Sequence, residues 1–300
     1  MFETIELFGQ KVDIKNSNCT KCGEEPIRTS MKLNLYIKVT DICNARCEVC
    51  SNKGNEKTSI IDLEKLKMVI SYLDSKDIIN RIGITGGEPM LDIKKLNDIL
   101  NAIYEVKPRA MVTINTNGCN IKDALYLDSI NKIEGIHISR HHYKNEINNK
   151  FFGINTATNQ DIETIMNKVS NKKLLRLNCL LMKKYINNIE EVSKYLDNAS
   201  LLNVFRVGFV SLMPINNPSI ENFIDFKDVF KDMPSNFIET NNLNDLDVCQ
   251  CTNGLYLGYN GNITEYYARM TKELNCEYAR QLVYTSDNEL TVGFNKKPLI

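Results

Sequence analysis

Between about residues 33 and 213 the chain alternates short β-rich runs with longer amphipathic segments, and this alternation restricts the fold more than any other feature. The strand candidates are residues 35–40, 81–85, 110–116, 135–139, 174–181 and 205–213, and helix candidates lie between them near 61–75, 92–106, 122–132, 159–169 and 188–199. Asp62 and Asp161 stand where helix starts favour a capping or first-turn acid. Strands separated by helices read as parallel, because a parallel pair needs a crossover of a dozen or more residues and a helix supplies it. The expectation is an α/β fold, either a barrel or a doubly wound sheet.

Outside this core the texture changes. Residues 4–14 read as a hairpin followed by a Cys19-x2-Cys22 knuckle; residues 214–248 hold Pro214, Pro218 and Pro234 as a connecting region, with a short helix near 222–231. Asn260 and Gly261 suit a two-residue hairpin turn, and a further hairpin is expected over 282–294. The expected organisation is an extension over 1–32, a core over 33–213, a connector over 214–248 and a cysteine-containing tail over 249–300. Basic and acidic residues number 37 each, so no global field favours nucleic acid or an anionic membrane. No stretch reads as a membrane span or a signal peptide, which makes a cytoplasmic chain the expectation. In that setting ten cysteines stay mostly reduced, and their close spacings read as metal ligands before disulfides.

Three of them, Cys43, Cys47 and Cys50, crowd into the loop after the first core strand. A disulfide uses two thiols and a structural zinc site usually four. Three thiolates suit a [4Fe-4S] cube with one iron left open for chemistry. After the second strand come Gly86, Gly87, Glu88 and Pro89, where glycines permit close approach of a ligand and Glu88 offers an acceptor for a cationic amine.

On the residues "CNARCEVC" and "GGEP", each following a strand and in this order, the chain resembles the radical S-adenosylmethionine (SAM) enzymes over roughly residues 33–213. The resemblance implies a six-stranded partial (β/α)6 barrel. It also implies a cluster on Cys43, Cys47 and Cys50 whose open iron is chelated by SAM, and an electron donor such as flavodoxin or ferredoxin. Reductive cleavage of SAM then gives a 5′-deoxyadenosyl radical that abstracts hydrogen from a carbon of a peptide or small-metabolite substrate. By the same resemblance Gly86 to Pro89 hold the methionine end, Thr116 and Asn117 lie near the ribose or substrate, Ser139 ends the fourth strand beside the cofactor, and Met213 lies beside the adenine. The residue before the third cysteine, usually aromatic in that family, is Val49.

Arg140, His141 and His142 follow the fourth strand, where they are expected to face the active-site mouth as an anion clamp and proton-transfer groups. Arg206 points either inward to an anionic substrate or outward, according to strand register. Cys119 and Cys179 read as packing thiols. The tail resembles the start of the cysteine-rich extension called SPASM or twitch, in degenerate form. Cys19 and Cys22 with two of Cys249, Cys251 and Cys276 are therefore candidates for one auxiliary iron–sulfur cluster or a zinc ion. The competing reading is a non-catalytic iron–sulfur or zinc protein whose cysteine loops serve electron transfer or structure, a zinc loop taking its fourth ligand from elsewhere, such as His141.

Overall fold

In a computed structural model of the chain, the residues described are 2–15, 33–50, 60–213, 215–239, 255–259, 262–267, 279, 281–293 and 298–300. Six parallel strands make the centre of an α/β partial barrel: β3 (Leu33–Lys38), β4 (Ile79–Thr85), β5 (Met111–Thr116), β6 (Gly135–Ser139), β7 (Leu175–Leu181) and β8 (Arg206–Ser211). They pair in chain order, for example Ile37 with Ile84, Ile84 with Ile114, Ile114 with Ile136, Ile136 with Leu175 and Leu177 with Val207. These five registers put the aliphatic residues on one face, under the helices. There Tyr195 meets Phe209 with ring centres 5.4 Å apart.

The crossovers are α1 (Leu63–Ser75), α2 (Ile93–Val106), α3 (Asn145–Phe152), α4 (Asn159–Lys168) and α5 (Ile189–Leu201). Their starts follow from short polar side chains that satisfy otherwise orphaned N–H groups. Asp62 accepts from Lys65 N, Asp92 from Lys95 N and Asn188 from Glu191 N, while Thr158 and Asp161 cap each other reciprocally. On α2, Leu96, Ile99, Leu100 and Ile103 are buried at helical spacing. Truncating one of them to alanine typically costs about 2–5 kcal/mol.

Three helical expectations change. Residues 122–132 form two 3-10 turns, Ile121–Tyr126 and Ile130–Lys132, and not one α-helix. The Asn120 and Ser129 that precede them make no side-chain capping bond. The short helix expected near 222–231 is α7 (Phe226–Phe230), narrower than that range, and α6 (Asn217–Glu221) precedes it as an addition. α3 is additional, since "NEINNKFF" buries only Asn148 and Phe152 and so carries too sparse an apolar stripe to announce itself.

The ends of the chain provide β1 (Phe2–Leu7) and β2 (Gln10–Lys15), which pair antiparallel across Phe8 and Gly9, both at positive φ. The tail does more than add hairpins. β9 (Phe237–Glu239), β10 (Leu255–Tyr259) and β11 (Asn262–Tyr267) join one edge of the central sheet, with β11 parallel to β8. β12 (Gln281–Tyr284) and β13 (Leu290–Val292) join the other, with β12 parallel to β3. The described strands thus form one eleven-stranded sheet and a separate two-stranded one. No helix among the described residues is long and apolar enough to cross a membrane.

Candidate active site

Parallel strands deliver their following loops to one end of the sheet, where such architectures place active sites. The cysteine loop leaves β3 there, and three neighbours fix it. Gly87 N donates to Thr40 O at 2.7 Å and Glu88 N to Ile42 O at 2.9 Å. Arg46 N donates to Phe152 O at the end of α3 at 2.8 Å. Asn216, the residue before α6, donates its side-chain amide to Glu48 O at 3.3 Å. A Cβ on Gly87 would stand 2.0 Å from Ile42 O, and one on Gly86, whose φ is +149°, would meet Thr40 O. The two glycines admit the backbone that carries the cysteines, which is a different close approach from the ligand contact expected for them.

Glu88 is 1% exposed. Its carboxylate accepts from Met90 N at 3.0 Å, the Thr116 hydroxyl at 2.6 Å and Asn117 N at 2.6 Å. Burial raises its pKa while these three donors oppose the rise. The expected open acceptor is therefore a brace between the loops after β4 and β5.

The loop after β5 reaches the cysteine loop through a closed ring of three residues. Asn117 Nδ2 donates to Asn44 Oδ1 at 2.8 Å, Asn44 Nδ2 donates to Cys119 Sγ at 2.9 Å, and Cys119 N donates to Asn117 Oδ1 at 3.0 Å. Cys119, read as a packing thiol, is a hydrogen-bond acceptor beside the three-cysteine loop. Cys179 is fully buried, as expected.

The three cysteine side chains suit a cationic centre held by several metal atoms. Burial and mutual repulsion raise the pKa of Cys47 to about 12, with burial the larger cause and Cys50 and Cys43 following. Cys43 is raised chiefly by burial as well. Thiolates that repel one another in a half-buried loop gain stability from bound positive charge. Among the described residues no three His, Cys, Asp or Glu side chains converge to hold a single ion. A cube spreads its ligands over separate irons, so the donor set fits an iron–sulfur cluster. The zinc reading loses His141 as its fourth ligand: His141 Nδ1 accepts from Leu180 N at 3.2 Å, and its ring lies against Phe151 and Phe152 at 4.7 and 5.1 Å.

The residues after β6 are also placed differently from expectation. Arg140 is 3% exposed; its guanidinium donates to Ala157 O at 2.9 Å, Tyr143 O at 3.1 Å and Asn159 Oδ1 at 2.7 Å. It fastens the loops on either side of α3 and does not face the mouth. His142 is buried, its Nδ1 accepting from Lys144 N at 3.0 Å. The cause lies in the unforeseen α3, which folds back over this segment. Ser139 ends β6 opposite Asn178, and Met213 follows β8 in the loop before α6. Val49 is partly buried in the cysteine loop. Cys19, Cys22, Cys249, Cys251 and Cys276 lie outside the described residues.

Register settles Arg206. The face opposite the helices carries His137, which pairs with Arg176, and Arg206 has the same parity as Gly208, which pairs with Asn178. Arg176 lies across Gly208, where a Cβ would stand 2.3 Å from its guanidinium. Burial lowers the pKa of His137 well below the ordinary value, and the charges of Arg176, Arg81 and Arg206 lower it further, in that order. Arg176 and Arg206 thus share the interior face with a neutral His137, and Arg81 lies on the same face near the start of β4. Arg206 also stands 3.8 Å from Glu134. His137, Arg81 and Arg176 were not nominated from the sequence. Their signal was a basic residue inside an otherwise apolar strand, at a spacing of two from other polar positions.

A cavity of about 110 Å³ opens beside the cysteine loop, lined by Arg46, Glu48, Lys150, Phe151, Gly153, Lys184 and Tyr185.

The sequence profile of the Radical SAM superfamily matches residues 37–226. Proteins named "Probable GTP 3′,8-cyclase" are similar: one from Saccharolobus islandicus is 28% identical over 184 residues, 61% of this chain and 58% of that protein. Another, from Thermococcus kodakarensis, is 28% identical over 157 residues, 50% of this chain and 48% of that protein. The chain thus spans about half the length of these curated relatives. Among solved structures, Streptococcus suis SuiB bound to S-adenosylmethionine superposes with a TM-score of 0.62 at 14% identity, covering 90% of this chain and 63% of that one. Native anSMEcpe with bound AdoMet gives 0.57 at 16% identity, covering 87% and 74%. These two likenesses concern the fold.

Proposed function

The chain belongs to the Radical SAM superfamily and is a radical SAM enzyme, and from that premise we propose that its substrate carries a multiply charged anionic group, such as the phosphates of a nucleotide, seated among Arg81, Arg176 and Arg206. The observation that carries this reading is that Arg81, Arg176 and Arg206 lie on the interior face of the barrel that also carries His137, toward the amino ends of their strands, so that the anionic end of a substrate would reach down the barrel from the cysteine loop. Guanidinium groups bind phosphate and carboxylate oxygens through paired hydrogen bonds, most strongly where water is scarce. The neutral His137 adds a donor or acceptor without adding charge.

Family membership implies a [4Fe-4S] cluster and SAM, which when bound supply the electron transfer and the radical that abstracts hydrogen. In this reading Cys43, Cys47 and Cys50 hold the cluster, and Gly86, Gly87 and Pro89 border the methionine end of SAM. Asn117, Ser139 and Met213 border the nucleoside end. Glu88 and Thr116 act one step removed, by holding two of these loops together, and Arg140 by holding the chain around α3. The name printed for the cyclase relatives agrees in kind with a nucleotide substrate.

The test is equilibrium binding of GTP, with inorganic triphosphate as competitor, to the anaerobically reconstituted enzyme and to its Arg176→Gln and Arg206→Gln variants. Loss of a charged hydrogen bond of about 1.5–3 kcal/mol weakens binding roughly ten- to hundredfold. Cleavage of SAM to 5′-deoxyadenosine without substrate persists in both variants. It is abolished, with the iron, when Cys43, Cys47 and Cys50 are all changed to alanine. Arginine variants that bind GTP and triphosphate as the parent does would refute the anion site.

A further inference from the structure

β12 runs parallel to β3, with Gln281 opposite Asn34 and Tyr284 opposite Ile37. The turn after β12 therefore arrives at the end of the sheet where the cysteine loop begins. Ser286, 1% exposed, donates its hydroxyl to Asp41 Oδ2 at 2.5 Å, and Asp41, 6% exposed, also pairs with Lys38. Asp41 stands two residues before Cys43. Asn288 reaches the other end of the same segment: its Oδ1 accepts from Asp62 N at 2.7 Å and its Nδ2 donates to Ile60 O at 2.8 Å. Asn288 has a φ of +63°, a left-handed conformation that asparagine tolerates, and the Tyr284 hydroxyl donates to its Oδ1 at 3.2 Å. Asp62 in turn caps α1.

We infer that Ser286 and Asn288 are positioning residues that pin both feet of the segment from Asp41 to Asp62, which carries Cys43, Cys47 and Cys50, to one turn of the tail. The inference rests on the reading that these cysteines hold the cluster. Ser286 and Asn288 stand two residues apart in one turn, so Asp41 and Asp62 separate only if these bonds break, and Cys43, two residues beyond Asp41, is held close to an anchored foot before a cluster is present. Hydrogen bonds to the backbone at Ile60 and Asp62 act without constraining which side chains fill the loop. β12 and its turn lie outside the residues that match the family profile, so this support is a feature of the tail of this chain.

The test compares the full chain, reconstituted anaerobically, with the Ser286→Ala/Asn288→Ala double variant and with Thr291→Ala. Thr291 bonds within the same hairpin, to Val283 O and Gly293 O. Loss of iron to a chelator should accelerate roughly tenfold in the double variant, as expected for buried hydrogen bonds removed, and stay within about twofold in Thr291→Ala. The single change Ser286→Thr, which keeps the hydroxyl, should lose iron at the parental rate. Equal rates in parent and double variant, or equal acceleration by Thr291→Ala, would overturn the inference. Limited proteolysis of the cluster-free chain separates the two readings. Faster cutting between residues 41 and 62 in the double variant alone supports the staple even if no chain retains iron, in which case the cluster reading fails. Unchanged cutting sinks the staple.

Discussion

The Thr116 hydroxyl donates to Glu88 Oε1 at 2.6 Å, joining the loops that leave β4 and β5 inside a site where Glu88 is 1% exposed. Asn117 continues the connection to Asn44 in the cysteine loop. The geometry of the three thiols is thus set through two neighbouring loops, by hydrogen bonds that water cannot replace.

Glu88→Gln should destabilise the cluster-free chain by about 1–3 kcal/mol. Glutamine offers one acceptor oxygen where Thr116, Asn117 and Met90 present three donors, and its amide adds a donor facing them. Urea denaturation of parent and variant measures the difference, and equal midpoints would refute the brace.

Gly87→Ala should impair the cysteine loop more than the fold. The added methyl would stand 2.0 Å from Ile42 O, a backbone atom that cannot rotate away, so the loop must move at a cost of about 1–3 kcal/mol. Iron bound after reconstitution should fall severalfold while the far-ultraviolet circular dichroism spectrum is kept. Parental iron content in the variant would show that the contact relaxes freely.

Stability should decline as pH falls below about 6.5. Burial lowers the pKa of His141 to about 3 and that of His137 in the same direction. The unfolded chain therefore takes up protons that the folded chain refuses, and stability present above pH 6.5 is lost progressively toward pH 3. At pH 5, His141 alone accounts for about 2 kcal/mol. Glu88 works in the opposite sense, its raised pKa adding stability as pH falls toward the ordinary carboxylate range. Denaturation of cluster-free protein at pH 7.5 and pH 5 checks the sign, and His141→Gln should flatten the slope. An unaltered slope in that variant would assign the effect elsewhere.

The periodicity of residues 33–213 was enough to place six parallel strands and most of the helices, because alternation, capping acids and crossover length are local properties of the chain. The sequence also nominated the cysteine loop and the loops after β4 and β5 as one site, since strand order alone sends those loops to one end of the sheet. α3 and the paired 3-10 turns were not legible, as their residues carry neither a clean apolar stripe nor a capping signal and take their form from neighbours. What each polar side chain does there was decided only by tertiary structure. Glu88 could be an open acceptor or a brace until β5 brought Thr116 within 2.6 Å, and Arg206 could face either way until pairing with β7 fixed its parity. The sharing of one sheet face by Arg81, Arg176 and His137, and the reach of Ser286 and Asn288 to Asp41 and Asp62, relate residues far apart in the chain. Such contacts depend on register and strand order summed over the whole sheet, which a single-residue shift would turn to the opposite face.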